Sequence, residues 1–373
     1  MNLSESDAAY AADQFINYFS NMGRIDEYLR NVKLDRMKEY NPLRGIDLED
    51  DMFQKFDMHP NEMNFKVYSV GDKNNMIPTK VFNERLEITT SHSIESSIPG
   101  KSLKWVVMET NSNETVGFVR FGSPTINCKP RNDWLGKPPE LKRFNRHSIM
   151  GFIIVPTQPF GFNYLGGKLL ALLCCSHEAR EQLNSKYGSD ICLFETTSLY
   201  GTTKSSSQYD GLKPYMRYKG LTMSDFTPLL HDDVFKGLNK WFIERNNNKL
   251  LVKEEASSRK LKTQQKMISI IKKSSSSQKA AEFQTAIVNA KNLTEKKRVY
   301  FSDYGFANSR EVIRGDTDKL EKNPINFDKF YQENLIKWWK NKASKRYESL
   351  KSSGSLRTEL EVWTKDMHID IIR

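Results

Sequence analysis

Apolar residues recur with helical and strand spacing along most of the chain, and these two periods predict its elements. Over residues 5–40 they return about every 3.6 positions, which predicts a helix that ends before Asn41-Pro42. Alternation of apolar and polar residues predicts three strands further on. They lie at residues 64–68, 104–109 and 115–121. The turn residues at 111–113 make the last two strands a hairpin.

A strand, a helix and a second strand follow in the most apolar part of the chain. We expect the strand at 149–155, the helix at 165–187 and the second strand at 191–196. The segment between the hairpin and this unit, 130–146, reads as a basic loop or short helix. An antiparallel sheet that leads into a βαβ unit predicts a mixed α/β (α+β) fold.

The remaining two fifths of the chain are basic and mainly helical in pattern. Residues 232–293 are rich in lysine, a four-serine linker occupies 274–277, and 325–350 form an amphipathic pattern. We therefore predict three regions. They are an N-terminal helical segment at 1–63, an acyltransferase-like α/β domain at 64–225, and a basic, mainly helical C-terminal region at 226–373.

Charge narrows the class of partner. The chain of 373 residues has a formal net charge of +11, which favours a polyanion and first of all a nucleic acid. We expect DNA, with RNA left open. The four cysteines form no CxxC pair, so buried thiols are expected and a metal site is not. With no signal peptide and no apolar run of membrane-spanning length, we expect a cytoplasmic protein without a membrane partner.

A glycine-rich loop between the strand and the helix of the βαβ unit is the first candidate site. A helix N-terminus that follows such a loop presents free N–H groups and the positive end of a dipole, which suit a phosphate or pyrophosphate. Packing of helix against strand is the alternative explanation of the glycines. The candidate donor-binding residues are Ile154, Val155, Gln158, Gly161, Asn163, Gly166 and Gly167.

The order of these elements resembles the core of the GCN5-related N-acyltransferases. The resemblance implies that the strand through Ile154 splays from its neighbour and that the loop binds an acyl-coenzyme A, such as acetyl-coenzyme A. The loop here is longer than that family's R/Q-x-x-G-x-G/A. Gly220-Leu221 replaces the family's Gly-Phe, and no tyrosine stands four residues before that glycine. The donor therefore stays unknown.

A more specific resemblance covers about residues 104–222. Val116-Gly117, Gly122-Ser123-Pro124 and the run Arg131-Asn132-Asp133-Trp134-Leu135-Gly136 are similar to the G…SP…RDxWIG pattern of the Druantia anti-phage defence protein A family. Leu193-Phe194-Glu195-Thr196 matches a later segment of that family. The resemblance implies a fold related to the acyltransferases and to the phage Mom adenine-modifying proteins. It therefore points to nucleic-acid modification in a phage or defence setting.

Four polar residues are the candidates for proton transfer. Glu195 ends an apolar strand beside the presumed cleft, where burial would tune its pKa for a general base, although a strand-end salt bridge explains it as well. Ser198 ends the same strand. Tyr209 and Tyr215 could act as general acid or stack on a base. The four candidates are Glu195, Ser198, Tyr209 and Tyr215.

A basic loop with one tryptophan is the candidate nucleic-acid contact. Cations interleaved with an aromatic ring suit phosphate contacts and stacking on an extruded base, while a solvated basic face is the plain alternative. The residues are Arg131, Asp133, Trp134, Lys142, Arg143 and Arg146.

Three functions remain open on the sequence. The first is a group transferase of a phage or defence system that modifies a nucleic-acid base. The second is a non-catalytic basic nucleic-acid-binding protein of the same fold, marked by salt-sensitive binding and indifference to donors. The third is an acyl-coenzyme A-dependent N-acyltransferase that acts on a protein or small amine. The oligomeric state and a phage or bacterial origin are also open; in a phage, the location would be the host cytoplasm.

Overall fold

The computed structural model divides the chain into two compact units. It describes residues 1–20, 51–71, 79–91, 100–198, 207–222, 228–230, 232–256, 259–292 and 296–363, with residues 30, 33–35 and 37. A helical unit comprises residues 1–35 and 224–296. A sheet unit comprises residues 36–223 and 297–373.

Four helices with described bounds surround an apolar core in the helical unit. Helix α1 (Glu5–Ser20) packs against two later helices, and its Phe15 ring meets Phe283 edge-on with centroids 5.7 Å apart. The other three helices are α8 (Asp232–Arg245), α9 (Arg259–Ser274) and α10 (Ser277–Asn292). The predicted serine linker is thus the tight connection between α9 and α10. The predicted helix at 5–40 is described as α1 through Ser20; most of its later residues lie outside the described part of the chain.

The sheet unit carries a seven-stranded mixed sheet flanked by helices, as the α+β pattern predicted. The strands stand in the order β1-β2-β3-β4-β5-β7-β6, and β4 with β5 is the parallel pair among antiparallel neighbours. The strands are β1 (Phe65–Ser69), β2 (Ser102–Glu109), β3 (Glu114–Gly122), β4 (Ser148–Pro156), β5 (Leu193–Ser198), β6 (Arg217–Leu221) and β7 (Arg298–Ser302). The predicted hairpin is confirmed as β2–β3, which pair antiparallel.

The helices of the sheet unit are mostly short. They are α2 (Thr79–Thr89), α3 (Lys129–Leu135), α4 (Leu141–His147), α5 (Phe160–Tyr164), α6 (Gly166–Cys174), α7 (His177–Tyr187), α11 (Ser309–Arg314) and α12 (Gln332–Ser352), with 3-10 turns at Pro60–Glu62 and Phe327–Phe330. The basic segment before the βαβ unit therefore forms two short helices, α3 and α4, which agrees with the helical one of the two predicted alternatives.

The single helix predicted at 165–187 is wrong, because the chain breaks it after Cys174. Ser176 takes an extended conformation and its hydroxyl accepts a hydrogen bond from the Ala179 N–H, which begins α7. A serine at this position satisfies an otherwise unpaired donor of the first turn. The break turns the second half of the segment into a separate helix.

The C-terminal region contributes both a strand and a long helix to the sheet unit. β7 lies between β5 and β6, so the sheet is continuous only with residues 298–302 in place. Helix α12 packs against α5 and α6, and its Trp339 is fully buried beside Phe65 and Phe160. Among the residues described, no helix is long and apolar enough to span a bilayer.

Candidate site at the divergence of two parallel strands

Strands β4 and β5 pair for only part of their length and then diverge. Their register runs from Ser148 opposite Leu193 to Gly151 opposite Thr196, and β4 continues to Pro156 bound to β3 alone. Beyond Gly151 the edge of β4 that faces β5 therefore has backbone groups without a strand partner among the described residues. Buried backbone groups need other partners, so this fork is a natural place for a polar ligand or a side chain.

A glutamine side chain reaches into the fork. Gln208 Nε2 donates to the Ile154 carbonyl oxygen at 3.3 Å, although the residue itself is exposed. A Cβ added at Gly167 would lie 2.1 Å from Gln208 Oε1, so the same side chain covers the first turn of α6. The amide therefore bridges β4 and the helix N-terminus, where the sequence predicted a donor phosphate.

Two other predicted donor glycines pack against the protein itself. A Cβ at Gly161 would lie 2.7 Å from Pro156 Cγ, and one at Gly166 would lie 2.5 Å from the Phe160 ring. These positions need glycine because neighbouring side chains fill the space that a Cβ would take. Close packing, the alternative weighed on the sequence, accounts for both residues.

The remaining predicted donor residues have structural partners. Asn163 is buried and bonds twice to the backbone of Arg357, donating to its carbonyl at 2.8 Å and accepting from its N–H at 3.2 Å. Gln158 Oε1 accepts from the Phe162 N–H at 3.2 Å. Val155 lies opposite Phe118 in the β3–β4 pair. Of this set, Ile154 and Gly167 directly line the fork.

Tyr209 lies behind Gln208 on the same face of the sheet. Its phenol interacts with the side chains of Thr196 and Gln208, and burial raises its pKa to about 12. The centre of its ring is 5.3 Å from that of Tyr300, a residue of β7 that lies opposite Thr196 of β5. A phenol with this pKa stays protonated at neutral pH and can donate a proton or hydrogen bond at the fork.

Two further proton-transfer candidates, Tyr215 and Ser198, have different surroundings. Tyr215 is buried between the rings of Phe330 and Trp338, with centroids 5.4 and 5.5 Å away, so it packs against the C-terminal helix. Ser198 is half-buried at the end of β5, opposite Arg298. The structure thus brings Tyr209, but not Tyr215, to the fork.

Glu195 forms an ion pair in the interior. Its Oε2 lies 2.9 Å from Arg131 Nη1, and both side chains are almost completely buried. The other carboxylate oxygen, Oε1, has no hydrogen-bond partner in the part of the chain that the structure describes. Burial raises the pKa of Glu195 to about 7, against the opposing effect of Arg131. The salt bridge weighed on the sequence is therefore present, and its partner is a residue assigned there to nucleic-acid contact.

Glu195 and Tyr209 lie on opposite faces of the sheet. Successive residues of a strand point to opposite faces, so the Glu195 side chain points away from the face of Thr196. Arg131 on α3 contacts the face of the sheet that bears Glu195, and Tyr209 contacts the face that bears Thr196. Glu195 therefore cannot serve as the base at the fork, which corrects the sequence-based placement of both groups in one cleft.

The predicted nucleic-acid loop is divided between core and surface. Arg131 is fully buried and stacks 4.2 Å over the Phe144 ring, so it cannot reach a phosphate at the surface. Arg143 binds the 312–318 segment through Val312, Thr317 and Asp318. Trp134 is half-buried against Phe301, 5.6 Å away. The exposed members are Asp133, Lys142 and Arg146.

A small polar cleft lies on the Glu195 face and was not found from the sequence. Arg217 Nη1 is 3.5 Å from Asp303 Oδ2, and Lys219 Nζ is 5.3 Å from the centre of the Trp134 ring. Burial raises the pKa of Asp303 and lowers that of Lys219. Arg217 and Asp303 are more than 80 positions apart along the chain, so only the pairing of strands in the sheet reveals the cleft. Within the described ranges no three metal-ligating side chains converge.

Helix α9 carries the densest positive charge in the helical unit. Its sequence RKLKTQQKMISIIKKS has six basic residues and no acidic one. Lys262, Lys266 and Lys273 are exposed and fall on one face, because spacings of four, seven and eleven residues return to the same side of a helix. The opposite face is buried through residues such as Met267 and Ile271. Lys262, Lys266 and Lys273 together are called the lysine stripe.

Comparison with known proteins identifies the family. The family model described as Druantia protein DruA matches residues 19–208, just over half of the chain. The chain belongs to this family. Membership indicates a role in anti-phage defence. No curated protein and no solved structure matches the chain significantly. The match includes the fork up to Gln208, whereas helix α9 and strands β6 and β7 lie beyond it.

Proposed function

We propose that this member of the family is a nucleic-acid-binding protein of anti-phage defence, with the lysine stripe as its phosphate contact. The carrying observation is the exposed row of lysines on a helix without a single acidic residue. The row from residue 262 to 273 extends about 16 Å at 1.5 Å per residue. That length is close to five duplex steps of about 3.4 Å.

Removing the lysine stripe tests the proposal. The triple variant Lys262→Gln, Lys266→Gln and Lys273→Gln is compared with the intact chain by fluorescence anisotropy on a labelled DNA duplex between 50 and 200 mM salt. Each lost phosphate contact lowers the slope of log K against log salt by about 0.9. We expect a slope smaller by up to about 2.7, and weaker binding of every sequence tried.

A control with the same change of net charge separates the stripe from bulk charge. Lys137, Lys319 and Lys337 are exposed lysines of the sheet unit, and all three are changed to glutamine together. The control is expected to keep the slope of the intact chain. Equal losses in both triple variants, or no binding of DNA or RNA at 50 mM salt, would refute the assignment.

A second candidate, group transfer to a nucleic-acid base at the fork, is favoured by a separate observation. The divergence of β4 from β5 is the feature that the acyltransferase resemblance implied, and the N-terminus of α6 lies beside it. Tyr209 would be the proton donor, because it meets the fork on the face of Thr196. Glu195 has no part in this version, since it points to the other face.

Donor binding and product formation test the second candidate independently of DNA affinity. Acetyl-coenzyme A and S-adenosylmethionine are added to the intact chain and to Gln208→Ala, and the melting temperature is recorded. Nucleosides from cells that make the chain or Tyr209→Phe are then analysed by mass spectrometry. We expect a donor-dependent shift and a modified nucleoside lost in Tyr209→Phe. Unchanged melting with both donors and unchanged nucleosides would leave binding alone as the function.

A further inference from the structure

The helical unit contains a cavity beside the lysine stripe. It has a volume of about 240 Å³ and opens between α8, the segment 250–252 and the start of α9. Its walls include the Phe235 ring and the side chain of Leu250, which is 40% exposed. Pockets for drug-sized ligands typically begin near 300 Å³, so this cavity suits a single flat group rather than a large ligand.

The lining of the cavity combines an apolar wall with a polar edge. Asn239 and Thr263 contribute an amide and a hydroxyl, while Leu250, Leu251 and Val252 contribute aliphatic surface. An amide both donates and accepts hydrogen bonds, as the edge of a nucleobase does. A base that has left its stack is held in this way, between apolar or aromatic side chains and a few polar groups.

The charge at the rim matches a nucleotide rather than a purely apolar group. Arg259 and Lys260 line the cavity, and Lys260 Nζ lies 5.3 Å from the centre of the Phe235 ring. Arg259 Nη2 forms a long, exposed ion pair with Glu254 Oε1 at 3.9 Å, and exposed pairs of this kind contribute little free energy, so a phosphate can compete for the guanidinium. Arg259 and Lys260 are the first two residues of the helix that carries the lysine stripe. A nucleic-acid strand whose phosphates follow the stripe would therefore bring a base to the cavity.

We infer that this cavity binds one unstacked nucleobase of a single strand whose phosphates lie along the lysine stripe. The inference rests on the proposed nucleic-acid binding and adds to it a preference for single-stranded over fully paired nucleic acid. Stacking on protein side chains changes affinity by about 5- to 150-fold per base. One base in the cavity therefore gives a measurable preference for a strand with bases over a strand without them.

A comparison of two strands with equal charge tests this inference. A labelled oligothymidine and an abasic deoxyribose-phosphate strand of the same length are titrated with the full chain at fixed salt. The intact chain is expected to bind oligothymidine at least about 5-fold more tightly. Leu250→Ala and Asn239→Leu are each expected to reduce that preference while leaving affinity for the abasic strand unchanged. Val288→Ala, which alters a similarly exposed apolar residue of α10, is the control and should keep the preference.

The possible failures are distinct. Equal binding of both strands by the intact chain would overturn the base site and leave the lysine stripe in place. A preference that survives both cavity variants would also overturn it and would release the cavity for another occupant, such as an apolar side chain of a protein. If neither strand binds and duplex DNA does not bind either, the proposed function itself fails.

Discussion

Replacing Glu195 with glutamine should remove an unusual contribution to the pH dependence of stability. In the folded chain burial raises the pKa of this carboxyl to about 7, from an ordinary value of 4.5 for an exposed glutamate. Folding therefore favours proton uptake. The corresponding stability is fully present below about pH 4.5 and is lost as the pH rises through about 7.

The size of the effect follows from the difference between the two pKa values. One pKa unit corresponds to about 1.4 kcal/mol, so the full difference of about 2.5 units is worth about 3 kcal/mol. Because both states titrate partly within the accessible range, most of this amount, about 2–3 kcal/mol, is lost between pH 5 and pH 8. Glutamine does not titrate, so Glu195→Gln should gain that amount relative to the intact chain as the pH rises from 5 to 8.

Urea unfolding at pH 5, 6, 7 and 8, followed by tryptophan fluorescence, measures this difference directly. Asp133→Asn provides the control, since it removes an exposed carboxylate from α3, the helix that carries Arg131. Only Glu195→Gln should show a free-energy difference that changes with pH in this direction.

A difference that stays flat from pH 5 to pH 8 would refute the reasoning, because it would mean that the carboxylate keeps its charge throughout. A change of opposite sign would mean that the attraction to Arg131 outweighs burial. Arg131→Met adds an independent check on the pair. Removing one partner of a buried ion pair typically costs about 3–5 kcal/mol. Here the loss should be largest at pH 8, because Glu195 without Arg131 must either take up a proton against the high pH or remain as a buried unpaired charge.

Three further substitutions test the packing at the start of α6 and the cap of α7. Gly166→Ala should lower the free energy of unfolding by about 1–3 kcal/mol, because its Cβ would meet the buried Phe160 ring at 2.5 Å; thermal melting measures it. Gly167→Ala should cost less in the same assay, since its Cβ meets only the end of the exposed Gln208 side chain, and an equal loss would contradict the packing described. Ser176→Ala removes the cap of α7 and should cost about 1 kcal/mol in urea unfolding; a stability unchanged from the intact chain would mean that the break after Cys174 does not depend on this cap.

Local patterns predicted much of the secondary structure because they record burial along one element at a time. The hairpin β2–β3, strands β4 and β5 and the C-terminal amphipathic helix all follow from periodicity. Strand β7 was not predicted. Its five residues lie between helical segments of the sequence, and only their pairing with β5 and β6 identifies them as a strand. The split of the long helix at Ser176 was also missed, because a serine within an apolar helical run reads as tolerated until its side chain is seen to cap the next helix.

The sequence by itself determined the mixed α/β class, the excess of positive charge and the motifs that match the family, because each depends on residue type and short spacing. The tertiary structure alone decided which candidates meet. Because successive residues of a strand face opposite sides of the sheet, the Glu195 side chain points away from the face that Tyr209 contacts. Arg131 lies in the interior, where it forms an ion pair with Glu195, and not at the surface. The fork itself arises where pairing between β4 and β5 stops. Such juxtapositions depend on which distant segments pair and how far, and no local period along the chain encodes that information.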